Sequence, residues 1–184
     1  MSRTKQLIEV YSNYISIPWR RDEAPAQRII FCVYNEAEEL KIRARIDEFE
    51  LATRQAGHDW YLFDLTESFA CWMLSQKYAG KYFQNPDLLK TLLPENYQQH
   101  ITRSFAEFYE KNNIDDNSVV TLMGVGSLFG FSKVRDVVDS LSSIVAGRLV
   151  VLFPGSYENN NYRLLDGYDG WNYLAVPLTA DASL

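Results

Sequence analysis

One stretch of the chain, residues 119–155, restricts the fold more than any other. Two apolar runs, residues 119–123 and 149–153, flank a glycine-containing loop and an amphipathic segment. Short continuous apolar runs are typical of strands that are covered on both faces, and the segment between them has the spacing of a helix. A strand, a helix and a second strand in this order form the unit from which parallel sheets are built.

The remainder of the chain alternates in the same way. Apolar runs at residues 28–34 and 59–65 predict two earlier strands. Apolar side chains at helical spacing predict helices between and around them. The predicted helices cover residues 3–17, 36–56, 87–93, 95–111 and 134–145, together with one that follows Thr66.

Turn formers and caps mark the predicted boundaries. Gly57 and Gly147 stand where helix-ending glycines belong, and Thr66 is a suitable N-cap. The tail is rich in turn formers before a last predicted strand at residues 171–177. These turns fall at residues 154–155, 158–161, 166–167 and 169–170. The whole pattern predicts the α/β class: a single Rossmann-like three-layer domain, residues 1–184, with a mostly parallel sheet of about five strands.

Size and charge narrow the classes of function. A chain of 184 residues with 47% hydrophobic residues is long enough for one core, and it contains no apolar run that would span a membrane. The amino terminus lacks the apolar region of a secretory signal, so we expect a cytoplasmic protein. The net charge of −6 opposes binding to DNA by this chain alone. Cys32 and Cys71 are expected to be buried thiols.

The sequence matches no known nucleotide-binding or catalytic motif with the residue spacing that the motif requires. The dinucleotide fingerprint needs glycine where Phe129 stands, and a P-loop needs Gly-Lys-Ser/Thr where residues 130–133 read Gly-Phe-Ser-Lys. Ser127 does not fit a nucleophile elbow, and neither His58 nor His100 has an evident partner. We therefore expect no P-loop, no cofactor, no metal and no enzymatic activity. The loop is either a turn that packs its Leu-Phe-Gly-Phe tip or, if the tip is exposed, a docking surface.

Polar residues follow several predicted strands, and ligands of open α/β sheets bind at that edge. Asp64 and Ser127 are the principal candidates there. If Asp64 were buried it would suit acid–base chemistry, but we favour a role in capping the next helix together with Thr66. The other residues expected at this edge are Asn35, Glu36, Ser156 and Glu158.

Aromatic residues crowd the tail, where we expect them to pack its loops onto the sheet. Tyrosine and tryptophan beside arginine and asparagine also suit a protein interface. The predicted interaction surface combines the glycine-loop tip with the tail. It consists of Leu128, Phe129, Phe131, Tyr157, Glu158, Asn159, Asn160, Asn161, Tyr162, Arg163 and Trp171.

Several long strings carry a resemblance to a known family. Residues 124–131 read GVGSLFGF, residues 147–166 read GRLVVLFPGSYENNNYRLLD, and residues 169–177 read DGWNYLAVP. Together with residues 28–34 and 44–50, they resemble the BrxB family over nearly the whole chain. The resemblance implies a role in a BREX bacteriophage-defence system, beside a DNA methyltransferase, a large ATPase and PglZ, a protein of the alkaline-phosphatase superfamily. The family supplies no established catalytic residues.

Two functions follow as hypotheses. The first is a non-catalytic assembly or adaptor component that contacts other BREX proteins, with PglZ as the first partner to test and DNA reached only through the complex. The resemblance leaves open whether the chain also forms a homodimer. The alternative is an unusual nucleotide-binding or hydrolytic domain that uses Asp64, Ser127 and Glu158 at the strand ends.

Overall fold

The fold is an open sheet with helices on both faces. The computed structural model describes residues 2–20, 22–167 and 170–181. Five strands lie in the order β2–β3–β4–β1–β7 and all pair in parallel. Two short strands extend the carboxyl end of β4 by antiparallel pairing. The strands are β1 (Ile29–Tyr34), β2 (Asp59–Asp64), β3 (Ser118–Met123), β4 (Arg148–Glu158), β5 (Asn161–Leu164), β6 (Trp171–Asn172) and β7 (Val176–Thr179).

The sheet is therefore mixed. The α/β class is confirmed, whereas a mostly parallel sheet of about five strands describes only the central part. The antiparallel extension arises because β4 continues past the apolar run, through Pro154 and Gly155, into a hairpin with β5. The predicted turn at residues 154–155 is wrong for this reason.

Within the described residues, seven α-helices cover the sheet. They are α1 (Arg3–Ile15), α2 (Glu39–Arg43), α3 (Ile46–Gln55), α4 (Ser68–Ser75), α5 (Ala79–Gln84), α6 (Gln98–Lys111) and α7 (Val134–Ser142). 3₁₀ turns occupy Pro25–Arg28, Glu36–Glu38, Pro86–Thr91 and Val125–Leu128, and a π turn, Leu93–Tyr97, precedes α6.

Two apolar clusters lie on opposite faces of the sheet. Ile30 and Cys32 of β1 join the cluster formed with α1 and α3, while Phe31 and Val33 join the cluster formed with α4, α6 and α7. Successive side chains of a strand point to opposite faces, so every residue of β1 is buried. This explains why the central strands read as continuous apolar runs instead of alternating ones.

Several predicted boundaries are wrong. The predicted helix 36–56 is interrupted at Arg45, whose φ of −121° and ψ of 19° lie outside the helical region. Gly147 does not end α7, which stops at Ser142. Helix α5 was not predicted, and the short helix placed at residues 87–93 is a 3₁₀ turn. The last predicted strand, residues 171–177, is instead β6 and β7 with a break between them.

The cysteines differ in environment. Cys32 is buried in β1, as predicted, and its burial raises the pKa of the thiol. Cys71 is exposed on α4, so the prediction of a second buried thiol is wrong. Among the residues that the structure describes, no helix is long and apolar enough to cross a membrane.

Candidate functional site

The glycine loop after β3 contains both buried and exposed apolar side chains. Gly124 has a φ of +75° and opens a 3₁₀ turn, and Ser127 Oγ donates hydrogen bonds to the carbonyl oxygens of Leu65 (3.0 Å) and Gly124 (2.6 Å). Leu128 is fully buried, whereas Phe129 is 50% exposed and Phe131 37% exposed. The predicted placement of Leu128 on a surface is therefore wrong, and it anchors a loop that presents two phenylalanines.

Phe131 is held in place by a second aromatic ring. It stacks on Phe69 of α4, with the ring centroids 3.9 Å apart and the planes 11° from parallel. Gly130, with a φ of +80°, makes the turn between the two exposed phenylalanines. The loop tip is thus a defined structure with exposed apolar rings.

The hairpin of β4 and β5 carries the asparagine-rich part of the tail. Asn159 and Asn160 have φ values of 50° and 63°, which are the left-handed values required at both central residues of a type I′ turn. Glu158 pairs with Asn161 across this turn. The turn predicted at residues 158–161 is confirmed. The turn predicted at residues 169–170 includes Asp169, which lies outside the described residues.

Aromatic packing fixes the tail on the sheet, as predicted. Tyr162 is fully buried, with its ring centroid 4.6 Å from that of Phe31, 5.9 Å from that of Phe153 and 5.5 Å from that of Trp171. The desolvation raises the pKa of the Tyr162 phenol. Tyr162 is therefore a core residue, and its predicted place on the interaction surface is wrong.

The glycine loop and the tail meet on one face and enclose a groove of about 570 Å³. Phe129 lies against the tail at Gly167, where a Cβ atom would come within 3.2 Å of the Phe129 Cε2 atom. Lys133, which immediately precedes α7, and Arg135 and Asp136 of its first turn form a charged wall. We call this the interaction groove. Its lining residues are Phe129, Gly130, Ser132, Lys133, Val134, Arg135, Asp136, Leu164, Gly167, Gly170 and Trp171.

The groove contains only part of the predicted surface. Phe129 and Trp171 line it. Tyr157 is half-buried and donates a hydrogen bond to Asn160 Oδ1 at 3.0 Å. The remaining predicted residues, Glu158, Asn159, Asn160, Asn161 and Arg163, are exposed on the hairpin.

The charged wall of the groove was missed by sequence reasoning. Arg135 and Asp136 belong to the polar side of an amphipathic helix and Lys133 immediately precedes it, which by itself indicates only exposure to solvent. Their position next to a glycine loop is a signal that the sequence contains, because the first turn of a helix lies beside the loop that leads into it. Leu164 gives no such signal.

A second, smaller cavity of about 270 Å³ lies at the carboxyl ends of β1, β3 and β4. The chain leaves β1 toward helices on one face of the sheet and leaves β3 toward helices on the other, and α/β sheets open a crevice at such a point. We call it the strand-end crevice. It is lined by Glu36, Glu39, Arg43, Gly124, Gly126, Ser127, Pro154 and Leu165.

Asp64 lies beside this crevice in a network of charged groups. It is 42% exposed, and its Oδ1 accepts hydrogen bonds from the Thr66 backbone N–H (2.9 Å) and hydroxyl (2.5 Å). Arg43 reaches Thr66 Oγ1 at 2.8 Å, Glu39 Oε1 at 2.7 Å and Asp64 Oδ2 at 3.6 Å. Asp64 is therefore not buried, as an acid–base role would have required. The favoured capping role is wrong, because α4 begins only at Ser68 and its N-cap is Glu67.

The charges of the strand-end crevice do not favour phosphate. Among its lining residues that the structure describes, Arg43 is the one basic residue, and its guanidinium already pairs with Glu39. Burial, followed by the hydrogen bond to Glu39, raises the pKa of the nearby Tyr34 phenol. The Ser127 hydroxyl already donates its proton to backbone carbonyl oxygens. Since Glu36 adds a further carboxylate, the crevice has an excess of negative charge.

The histidines lie away from both cavities. His58 stacks on Trp19, with centroids 3.6 Å apart, and its Nδ1 lies 2.8 Å from Asn117 Oδ1. His100 belongs to α6, where desolvation and Arg103 lower its pKa. Within residues 2–20, 22–167 and 170–181, no three His, Cys, Asp or Glu side chains are grouped as metal ligands would be.

Comparison with known proteins gives one finding. A family model described as BREX protein BrxB matches residues 71–177, which is more than half of the chain and includes every lining residue of the interaction groove. No curated protein and no solved structure matches the chain significantly. The matched residues run from α4 to β7 and contain the glycine loop and the hairpin described above. The chain belongs to the BrxB family of BREX proteins.

Proposed function

We propose that this chain is a non-catalytic assembly component of a BREX phage-defence complex and that it holds another BREX protein in the interaction groove. Membership of the BrxB family gives the involvement in BREX phage defence. The observation that supports docking is the half-exposed Phe129 ring at the edge of a groove whose apolar lining also includes Val134, Leu164 and Trp171. A cytoplasmic location belongs to the same proposal.

The composition of the groove suits a protein partner. Protein interfaces are enriched in aromatic residues and arginine, and a few such residues supply most of the binding energy. Phe129 and Trp171 are anchored by packing before any partner arrives, so little side-chain freedom is lost on binding. Lys133 adds an exposed positive charge at the rim.

Other BREX proteins are the proposed partners, with PglZ the first to test. The net charge of −6 makes direct attraction to a phosphate backbone weak, so contact with DNA is proposed to occur only through the complex. A homodimer is a second proposed arrangement, which analytical ultracentrifugation of the purified chain would detect.

The alternative function is nucleotide binding or hydrolysis in the strand-end crevice. Its position at the carboxyl ends of the strands favours this hypothesis, whereas its excess of carboxylates opposes it. A ligand that binds only the folded state raises its melting temperature. We expect millimolar Mg-ATP to leave the melting temperature unchanged, and a clear increase would favour the alternative.

The main test is binding of purified BREX proteins, PglZ first, to the tagged chain. We expect Phe129→Ala to weaken the binding of one of them by about tenfold or more, because an anchoring ring is removed. Leu40→Ala is the matched control, since Leu40 is highly exposed on α2 and lies outside the groove. Unchanged melting temperatures would exclude misfolding.

Two results would contradict the proposal. One is that no BREX protein binds the unaltered chain. The other is that the Phe129→Ala and Leu40→Ala variants bind every partner equally well.

A further inference from the structure

A second group of exposed apolar side chains lies on consecutive elements outside the interaction groove. Leu74 at the end of α4 is 78% exposed, Tyr78 is 50% exposed, Phe83 of α5 is 66% exposed, and Leu88 in the following 3₁₀ turn is 45% exposed. Ile17 and Leu51 are also exposed, but each is isolated along the chain from the other exposed large apolar residues. Grouped exposed apolar residues mark interaction sites, whereas single ones are ordinary.

Helix α4 shows why this region does not bury all its apolar surface. Its sequence, SFACWMLS, contains no charged residue. Trp72 and Met73 are buried in the core, and Leu74 points away from it into solvent. A helix that is apolar on all sides is normally covered on all sides. The outer side of α4 therefore has the composition of a covered surface but is open to solvent here.

The charges around these side chains are positive. The ammonium groups of Lys77 and Lys81 lie 5.4 Å and 5.1 Å from the centroid of the Tyr78 ring. Neither lysine forms an ion pair with any part of the chain that the structure describes, whereas Lys90 pairs with Asp87 at 2.7 Å. Residues 74–91 contain three lysines and one aspartate, although the chain as a whole carries a net charge of −6.

We propose that this region is a second docking surface, which binds another protein through an apolar pocket rimmed by aspartate or glutamate. We call it the α4–α5 surface and define it as Leu74, Lys77, Tyr78, Lys81, Phe83 and Leu88. Leu74 and Phe83 insert into the partner's pocket, and the two lysines meet its carboxylates. Opposite charges at the rim of an interface speed association and fix its orientation.

Charge decides between a protein partner and two other occupants. A second copy placed with its α4–α5 surface against this one would bring four lysines together, which like-charge repulsion opposes. An anionic membrane gains only about 1 kcal/mol for each lysine near its surface. The net negative charge of the remaining chain opposes that approach. A partner with carboxylates around an apolar pocket complements both the exposed apolar side chains and the lysines of this surface.

The α4–α5 surface is distinct from the interaction groove. The groove is built from the glycine loop, α7 and the tail, and none of its lining residues belongs to residues 74–88. Two separate surfaces allow one chain to hold two proteins at once. The inference rests on the exposed residues of α4 and α5, so it stands even if the groove binds nothing.

The test uses the full chain and each purified BREX protein of the same system in turn, with binding measured at two salt concentrations. Leu74→Ser with Phe83→Ser should weaken the binding of one protein by at least about tenfold. Lys77→Glu with Lys81→Glu should weaken the same complex and reduce its dependence on salt. Leu51→Ser, an exposed position on α3 at the other face of the sheet, is the matched control and should change nothing.

Two further measurements separate the other occupants. Flotation with vesicles of phosphatidylserine and phosphatidylcholine detects membrane binding, and analytical ultracentrifugation detects self-association. Binding to vesicles, or dimerisation, that is lost in the Leu74→Ser/Phe83→Ser variant would overturn the proposal in favour of that occupant. If the Lys77→Glu/Lys81→Glu variant binds its protein partner as tightly as the unaltered chain does, the proposal that the partner's pocket is rimmed by carboxylates would be wrong. Binding that depends on Phe129 alone would overturn the second surface while supporting the groove.

Discussion

Gly147 shows how a single residue can be fixed by its neighbours. It directly precedes β4, where a Cβ atom would lie 2.1 Å from the carbonyl oxygen of Ser118 at the start of β3. Real Cβ atoms do not approach a backbone oxygen so closely. The glycine is therefore required because two adjacent strands lie too close together for any side chain, and not because a helix ends there.

Replacing this glycine should separate the two strands. We expect Gly147→Ala to lower the free energy of unfolding by about 3 kcal/mol, as overpacking in a rigid core does. Gly80→Ala is the control, because Gly80 is exposed in α5 with open space around it and alanine favours a helix by up to about 1 kcal/mol. Urea unfolding of both variants measures the difference. Equal stabilities would contradict the close approach.

The hairpin of β4 and β5 is an element whose geometry depends on its turn. β4 is buried from Arg148 to Pro154 and becomes exposed at Glu158, so the hairpin carries the chain from the core to the surface. The turn residues Asn159 and Asn160 hold left-handed backbone conformations, which asparagine tolerates better than most residues. The hairpin then returns through Tyr162 to Leu164, which lines the interaction groove.

Changes in the turn should act in opposite directions. We expect Asn159→Ala to lower the free energy of unfolding by about 1 kcal/mol, because a Cβ without a polar group disfavours the left-handed region. Asn160→Gly should raise it slightly, since glycine is preferred at the second central position of a type I′ turn. Thermal unfolding of the two variants measures both effects. A loss of stability in the glycine variant would argue against the turn type.

At the scale of the molecule, the connector between α1 and β1 closes over the amino-terminal edge of the sheet. Trp19 stacks on His58, and the Arg148 guanidinium lies 4.4 Å from the centroid of the Trp19 ring. Glu23 pairs with Arg148, which is buried. Burial lowers the pKa of Arg148, and the Glu23 carboxylate opposes that shift. The pair joins the connector to the first residue of β4.

Removing one partner of this ion pair should destabilise the folded protein. We expect Glu23→Ala to lower the free energy of unfolding by about 3 kcal/mol, because a buried charge is left without its partner. Asp22→Ala is the control, since its ion pair with Arg20 is 3.9 Å long and both side chains are open to solvent. Chemical unfolding measures both. If the two variants were equally stable, the connector would not be held by this pair.

The sequence alone was enough to locate the central strands of the sheet and to identify residues that end a helix or form a turn. Apolar runs located β1, β2, β3 and the first half of β4, because a strand buried on both faces must be apolar at every position. Gly57, with a φ of +88°, ends α3 as its residue type predicts. The exposed side chains of the hairpin also followed from local turn chemistry.

Only the tertiary structure decided how these elements meet. The packing of Phe129 against Gly167, which closes the interaction groove, joins positions far apart in the sequence that share no local pattern. The same is true of Arg43, which contacts Glu39 and Thr66 at the strand-end crevice. Local propensity reports on neighbours along the chain, whereas a groove is made by contacts across it. The sequence therefore identified the loop and the tail as candidates, and their packing made them one site.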